Sequence, residues 1–224
     1  MHTRLANLFA ALVCVAMLAA LAMVFLYVPT EQTMGPVQRI FYFHVPSAVC
    51  SFIAFFLVSI GSLAYLKTRR EHWDRLARCA AELGVVFALI VLITGPLWGK
   101  PAWGVYWRWE PRLTSMLILF AMYVTYLMVR SFGAQTTRTP QLAAVLGVLA
   151  FANVPLVYYS VNLWAEGQQL HPRRVSLPDP AMVHTLYVCF AAFFLLFAFL
   201  LQRRLALAAA EAEVATLRHQ LAES

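Results

Sequence analysis

Charge is what this chain has least of. Asp, Glu, Lys and Arg make up 12% of its 224 residues, against 62% hydrophobic residues and a mean hydropathy of +0.72. A water-soluble domain of this size needs a far more polar surface, so that class is excluded. Cysteine is scarce as well: Cys14, Cys50, Cys79 and Cys189 all fall within or at the ends of apolar runs, and none belongs to a CxxC. That excludes dithiol exchange, thioether attachment and a closely spaced Cys/His zinc site, and leaves the four as small packing residues. No GxxxxGK[ST] loop occurs, so nucleotide hydrolysis cannot be assigned to this chain. No nucleophile stands beside a base, which argues against an enzyme with a covalent intermediate.

What is present is a set of long apolar runs. Six can be read as membrane spans, Leu5 to Val28, Val45 to Leu66, Cys79 to Leu97, Leu113 to Val129, Leu142 to Tyr159 and Ala181 to Leu201. Each matches the roughly twenty residues that a helix needs to cross a bilayer. The expected fold is therefore all-α, a polytopic integral membrane protein built as a bundle of six transmembrane helices. The first run continues past the small residues Ala19 to Ala22 that would suggest a cleaved leader, and it is expected to stay as a helix. Residues 1–202 form the transmembrane domain and 203–224 a cytoplasmic helical tail, with Val214, Leu217 and Leu221 on one helix face. No internal repeat or long linker is found.

The formal charge of +7 calls for no nucleic acid, because Lys and Arg accumulate on cytoplasmic loops for topological reasons. With the amino terminus inside, Arg4, the five cations of Lys67 to Arg78, Arg130, Arg138, Arg203, Arg204 and Arg218 lie inside. Only Arg39, Lys100, Arg108, Arg112, Arg173 and Arg174 then lie outside. This bias of eleven to six favours both termini in the cytoplasm.

The outer face becomes the chemically dense one, with every tryptophan but Trp73 and three of the six histidines on or near it. The outer loop 98–112, WGKPAWGVYWRWEPR, holds four of the six tryptophans among Lys100, Arg108, Glu110 and Arg112. Flat aromatic faces among cations suit a large, planar, anionic ligand. His44 in FHVP is expected just above the second span, with Pro46 in the first helical turn and Val45 held out of the helical region. The last outer loop, 161–180, carries Trp164, His171, Arg173 and Arg174 and is broken by three prolines. Taken singly, His44 also fits an interfacial hydrogen bonder and His171 an exposed loop histidine. Taken together, two imidazoles flanking an aromatic, cationic floor suit haem, with arginines for the propionates. Asn153, two residues before Pro155, reads as local hydrogen bonding at a proline kink rather than as the lining of an entry path.

The run WGKPAWGVYWRWEPRLTS resembles the tryptophan-rich WWD signature of haem-handling proteins of cytochrome c biogenesis, above all the haem exporter protein C family. RIFYFHVPSA at Arg39 to Ala48 and NVPLVYYSVNLW at Asn153 to Trp164 are similar as well, so the likeness runs from about Arg39 to His184. The resemblance implies haem b (iron protoporphyrin IX) held at the outer face of a bacterial inner membrane. Trp98, Trp103, Trp107 and Trp109 would form its floor, Gly99 and Gly104 would allow close approach of the chain, and Trp164 would contribute from the last loop. Glu110 stands where the signature has an aspartate, and Arg112, Arg108 and Lys100 are candidates for the propionates. His44 and His171 are the implied axial ligands, with His184, at the head of the sixth span, as the rival. The stretch AEGQQ after Trp164 departs from the commoner spacing.

The implied task is delivery of haem to a periplasmic, membrane-anchored haem chaperone, in a complex with the membrane and ATPase subunits of an ABC transporter and a small membrane accessory subunit. Two other readings stand beside it. A cytochrome c haem lyase or synthase acting directly on apocytochrome usually carries more spans and histidines. A small-solute transporter would need ionisable residues deep in the spans, which this chain almost lacks.

Overall fold

The structure is a computed structural model that describes residues 2–133, 138–163, 171 and 177–223. Seven α-helices follow one another: α1 (His2–Ala22), α2 (Phe41–Thr68), α3 (Glu71–Trp103), α4 (Pro111–Phe132), α5 (Arg138–Phe151), α6 (Asn153–Leu163) and α7 (Pro180–Glu223). Helix α1 runs on into a π-helical turn, Met23–Tyr27, and a 3-10 turn, Pro36–Ile40, leads into α2. With α5 and α6 counted as one crossing, six helical segments are long and apolar enough to span a membrane. The expected all-α six-span architecture is what the chain adopts, and an even number of crossings leaves both ends on one side.

Helices α2 and α3 form the central antiparallel hairpin, turning at Arg69, whose left-handed backbone (φ 58°) closes α2. Small residues on α3 let the two backbones approach, the usual solution where lipid offers no hydrophobic drive between helices. Ala77, Ala80, Ala81 and Ala88 are fully or almost fully buried there. Gly84 marks the tightest point: a Cβ at that position would fall 2.5 Å from the Phe55 ring. Phe55 has no room to yield, because it stacks on Tyr123 of α4 with ring centroids 3.7 Å apart and planes within 4°. Helices α4, α5 and α6 pack on one side of this hairpin, and the α1–α7 pair packs on the other.

Several segment limits differ from those expected. Helix α2 begins at Phe41 rather than Val45 and carries Pro46 in its interior. Burial of Phe41 and Tyr42 against Val24, Val28 and Met182 outweighs the local bias that a proline imposes on the residue before it. The fifth crossing is broken at Ala152, where an amide bonds back to Leu149 O at 3.2 Å. Pro155 supplies the reason, since it has no N–H to offer the carbonyl four residues back. Helix α7 runs unbroken through 44 residues, with no structural boundary at 203. Arg204 clamps it to α3 through both oxygens of Glu82, at 2.5 and 3.0 Å. Asp74 of α3 makes a similar forked pair with Arg130 of α4, at 2.5 and 2.6 Å.

Candidate functional site

The tryptophan-rich segment is not one loop. Helix α3 continues through Trp98, Gly99, Lys100, Pro101 and Ala102 to Trp103, and α4 begins at Pro111, so only 104–110 is non-helical. Two prolines, Pro96 and Pro101, lie within this last stretch of α3, each without an N–H for the carbonyl four residues back. The end is set by Gly104, in the left-handed region (φ 79°), whose amide bonds to Lys100 O at 2.9 Å. Lys100 Nζ in turn donates to Gly104 O at 2.9 Å and lies 5.5 Å from the centre of the Tyr106 ring. Lys100 and Gly104 thus serve as a helix cap. Gly99 faces the ring of Trp103, which a Cβ would approach to 3.2 Å.

The segment expected as the last outer loop is also shorter than 161–180, since α6 reaches Leu163 and α7 starts at Pro180. Trp164, Arg173 and Arg174 lie outside the described residues.

Below the tryptophans, α2, α3, α4 and α6 line a cavity of about 220 Å³ that opens to the surface. Its walls are apolar, with Val45, Ala48, Val49 and Phe52 on one side and Met116 and Val157 on the other. Trp98, Trp103, Trp107, Arg112, His44 and His171 line one end. The imidazoles of His44 and His171 lie 6.3 Å apart, centroid to centroid, with their planes at 30°. Trp98 sits 6.3 Å from His44 and 6.2 Å from His171, and Trp103 lies 5.8 Å from His171.

Each of the two histidines is positioned by a different device. His44 rides in the first turns of α2, buried to 6% exposure, with Nδ1 2.8 Å from Thr94 Oγ1 of α3. His171 is held by its backbone: its amide donates to Glu110 Oε2 at 3.4 Å. Glu110 is itself buried, at 2% exposure, immediately before α4. Burial, then the Arg112 guanidinium, then His44 push the His171 imidazole down from its ordinary pKa to about 3. It is therefore neutral at physiological pH, the form that binds metals.

Three buried polar atoms of this cluster have no hydrogen-bond partner among the described residues: Trp98 Nε1, Trp107 Nε1 and Arg112 Nε. Arg112 does donate from Nη2 to Tyr158 O at 2.7 Å. Orphaned donors around an apolar cavity mark a place where a ligand with acceptor groups fits. Among the described residues no group of three or more His, Cys, Asp or Glu forms a metal cage. A metal taken by this imidazole pair would have to bring further ligands with it, as iron in a macrocycle does.

Other candidates stand apart. Trp109 is 74% exposed and meets the cluster only edge-on through Trp107, with centroids 5.5 Å apart. Arg108 is exposed. His184, on α7, is exposed and does not line the cavity. Asn153 Nδ2 donates to Ser115 O of α4 at 2.9 Å, a bond between helices rather than within its own kink. Sequence reasoning missed Thr94, whose only signal was a single hydroxyl in an apolar run.

Fold and site together define a six-span membrane protein with two imidazoles and three indoles at one end of an apolar cavity. Comparison with known proteins narrows this class. The family model described as "Heme exporter protein C" matches residues 1–220, and the chain belongs to that family. It is 36% identical over 178 residues to "Heme exporter protein C" of Paracoccus denitrificans, covering 77% of this chain and 73% of the relative. It is 38% identical over 136 residues to the protein of the same name from Bradyrhizobium diazoefficiens, covering 61% of this chain and 52% of the relative. A "Putative cytochrome c biosynthesis ccmC-like mitochondrial protein" of Marchantia polymorpha is 34% identical over 172 residues, covering 75% of this chain and 72% of the relative.

Proposed function

We propose that this chain binds haem b at the outer face of a bacterial inner membrane and delivers it to a periplasmic, membrane-anchored haem chaperone for cytochrome c maturation. The single observation that carries the reading is the pair His44 and His171, 6.3 Å apart at the tryptophan-lined end of an apolar cavity. Two neutral imidazoles this close together at the mouth of an apolar cavity are a donor pair that would suit the iron of a porphyrin.

Each residue then has a distinct task. His44 and His171 would ligate the iron, and Trp98, Trp103 and Trp107 would exclude water and lie against the macrocycle. Arg112, with its unpartnered Nε, would meet a propionate. The apolar walls suit the uncharged edge of the ring. What haem supplies when bound is an iron centre with two axial positions and two carboxylates. The bias of cationic residues towards the opposite face supports an outward-facing site. Its relatives are named exporters, and the absence of a phosphate-binding loop fits energy supply by the ATPase and membrane subunits of an ABC transporter, with a small membrane accessory subunit.

The test is the optical spectrum of purified protein loaded with haem. A Soret band of the bis-imidazole type is expected in wild type and in His184→Ala, and it should be lost or altered in His44→Ala and His171→Ala. A band lost only in His184→Ala would overturn the ligand assignment, and no band in any form would overturn haem binding.

A further inference from the structure

The Thr94 hydroxyl is the hydrogen-bond partner of His44 Nδ1 among the described residues, and its own bonds determine which nitrogen of that imidazole is bare. The Thr94 hydroxyl lies 2.7 Å from Ile90 O, one turn back in α3, and 2.8 Å from His44 Nδ1. A hydroxyl has one proton to give and lone pairs to receive. With the proton given to Ile90 O, the usual back-bond of a helical threonine, Oγ1 accepts from His44 Nδ1–H. The imidazole is then the Nδ1–H tautomer and Nε2 carries the free lone pair. The opposite tautomer would give up the Ile90 bond and turn an Nε2–H into the cavity, where no described residue accepts a hydrogen bond from it.

Neighbouring residues of α3 border the same ring. Gly95, next to Thr94, allows the imidazole edge to lie against the helix: a Cβ there would already be in van der Waals contact with His44 Cε1 at 3.5 Å. Trp98, one turn further on, borders the ring at 6.3 Å. Thr94, Gly95 and Trp98 thus form one edge of α3 on which His44 rests.

We propose that Thr94 is a positioning residue: by accepting the Nδ1 proton it fixes the tautomer and aim of His44, so that Nε2 is presented to iron before haem arrives. The inference deepens the haem-binding reading and rests on it for the identity of the metal. Ligating histidines are held in this way by partners on their other nitrogen, and loss of such a partner typically weakens a metal site about 10–100-fold.

Two measurements test it. The first needs no haem: nitrogen-15 NMR of histidine-labelled, haem-free protein, with the His44 signals assigned by difference from His44→Gln. It should report protonated Nδ1 and bare Nε2 in wild type and Thr94→Ser, and a mixture of tautomers in Thr94→Val. The second is haem titration with reductive potentiometry on the same three proteins. Thr94→Val should bind about 10–100-fold more weakly with a shifted midpoint potential, and Thr94→Ser should restore both. Thermal melting of the haem-free forms separates a positioning loss from misfolding, since Val fills the same space. Protonated Nε2 in wild type, or unchanged affinity and potential in Thr94→Val, would overturn the role of Thr94 and leave the haem reading intact. A bis-imidazole spectrum that survives in His44→Ala would overturn both.

Discussion

Glu110 holds His171 by its backbone: the carboxylate, buried in front of α4, accepts the amide of a residue 61 positions further along the chain, at 3.4 Å. The consequence is a division of labour in which the carboxylate fixes where the imidazole sits and leaves its ring nitrogens to the cavity. Glu110→Ala should therefore weaken haem binding by about tenfold or more, as loss of an outer-shell contact does. Glu110→Gln, which retains an acceptor oxygen, should recover most of the loss. Titration with haem distinguishes the two, and equal loss in both variants would mean that the charge, rather than the acceptor, is what matters.

The tryptophans should not be equivalent. Trp107 lines the cavity and Trp109 is largely in solvent. Truncating an aromatic side chain that haem covers removes about 1.5–3 kcal/mol of apolar contact, roughly 10- to 100-fold in affinity. Trp107→Ala should show a loss of that order and Trp109→Ala only a small fraction of it. A comparable loss in both would place the macrocycle further out than the cavity.

A third prediction concerns acid. The pKa of the folded His171 is depressed to about 3, below its ordinary value near 6.5. Between these values the unfolded chain binds the extra proton and the folded chain does not, so this residue makes stability fall as pH drops through that window. Thermal melting of haem-free protein at pH 7.5 and pH 4.5 should show a larger decrease for wild type than for His171→Ala. The same decrease in both would mean that His171 titrates as a solvated residue.

Packing at Gly84 gives a fourth. Its would-be Cβ meets Phe55 at 2.5 Å, and Phe55 is pinned by Tyr123. Gly84→Ala should destabilise the bundle by about 1–3 kcal/mol through forced separation of α2 and α3. A melt indistinguishable from wild type would show that the hairpin has slack there.

The number of crossings was legible because lipid demands long apolar runs and nothing else in the chain competes with that signal. Helix ends were harder to read. Trp98 to Trp103 reads as loop in the sequence because aromatics, a cation and proline normally mark one, yet the helix continues through them and stops at Gly104. His44 was placed above its helix by the rule for residues preceding proline, and burial of Phe41 and Tyr42 overrode that rule. The cavity-facing tryptophans and the two histidines came from composition and resemblance. Their separation could not, because it depends on contacts such as Glu110 with His171. Thr94 was invisible for a similar reason: its partner lies 50 residues earlier in the chain, and a single hydroxyl in an apolar helix carries no pattern.

Helix α3 has a mechanical corollary. Its 33 residues hold Asp74 and Glu82, which grip Arg130 and Arg204, towards one end, and Thr94, Trp98 and Trp103 at the other. It is about 50 Å long, so a tilt of roughly 5° pivoting on those ionic clasps would move the indole end by about 3 Å. The ionic clasps and the indoles that border the two imidazoles thus sit at opposite ends of one helix.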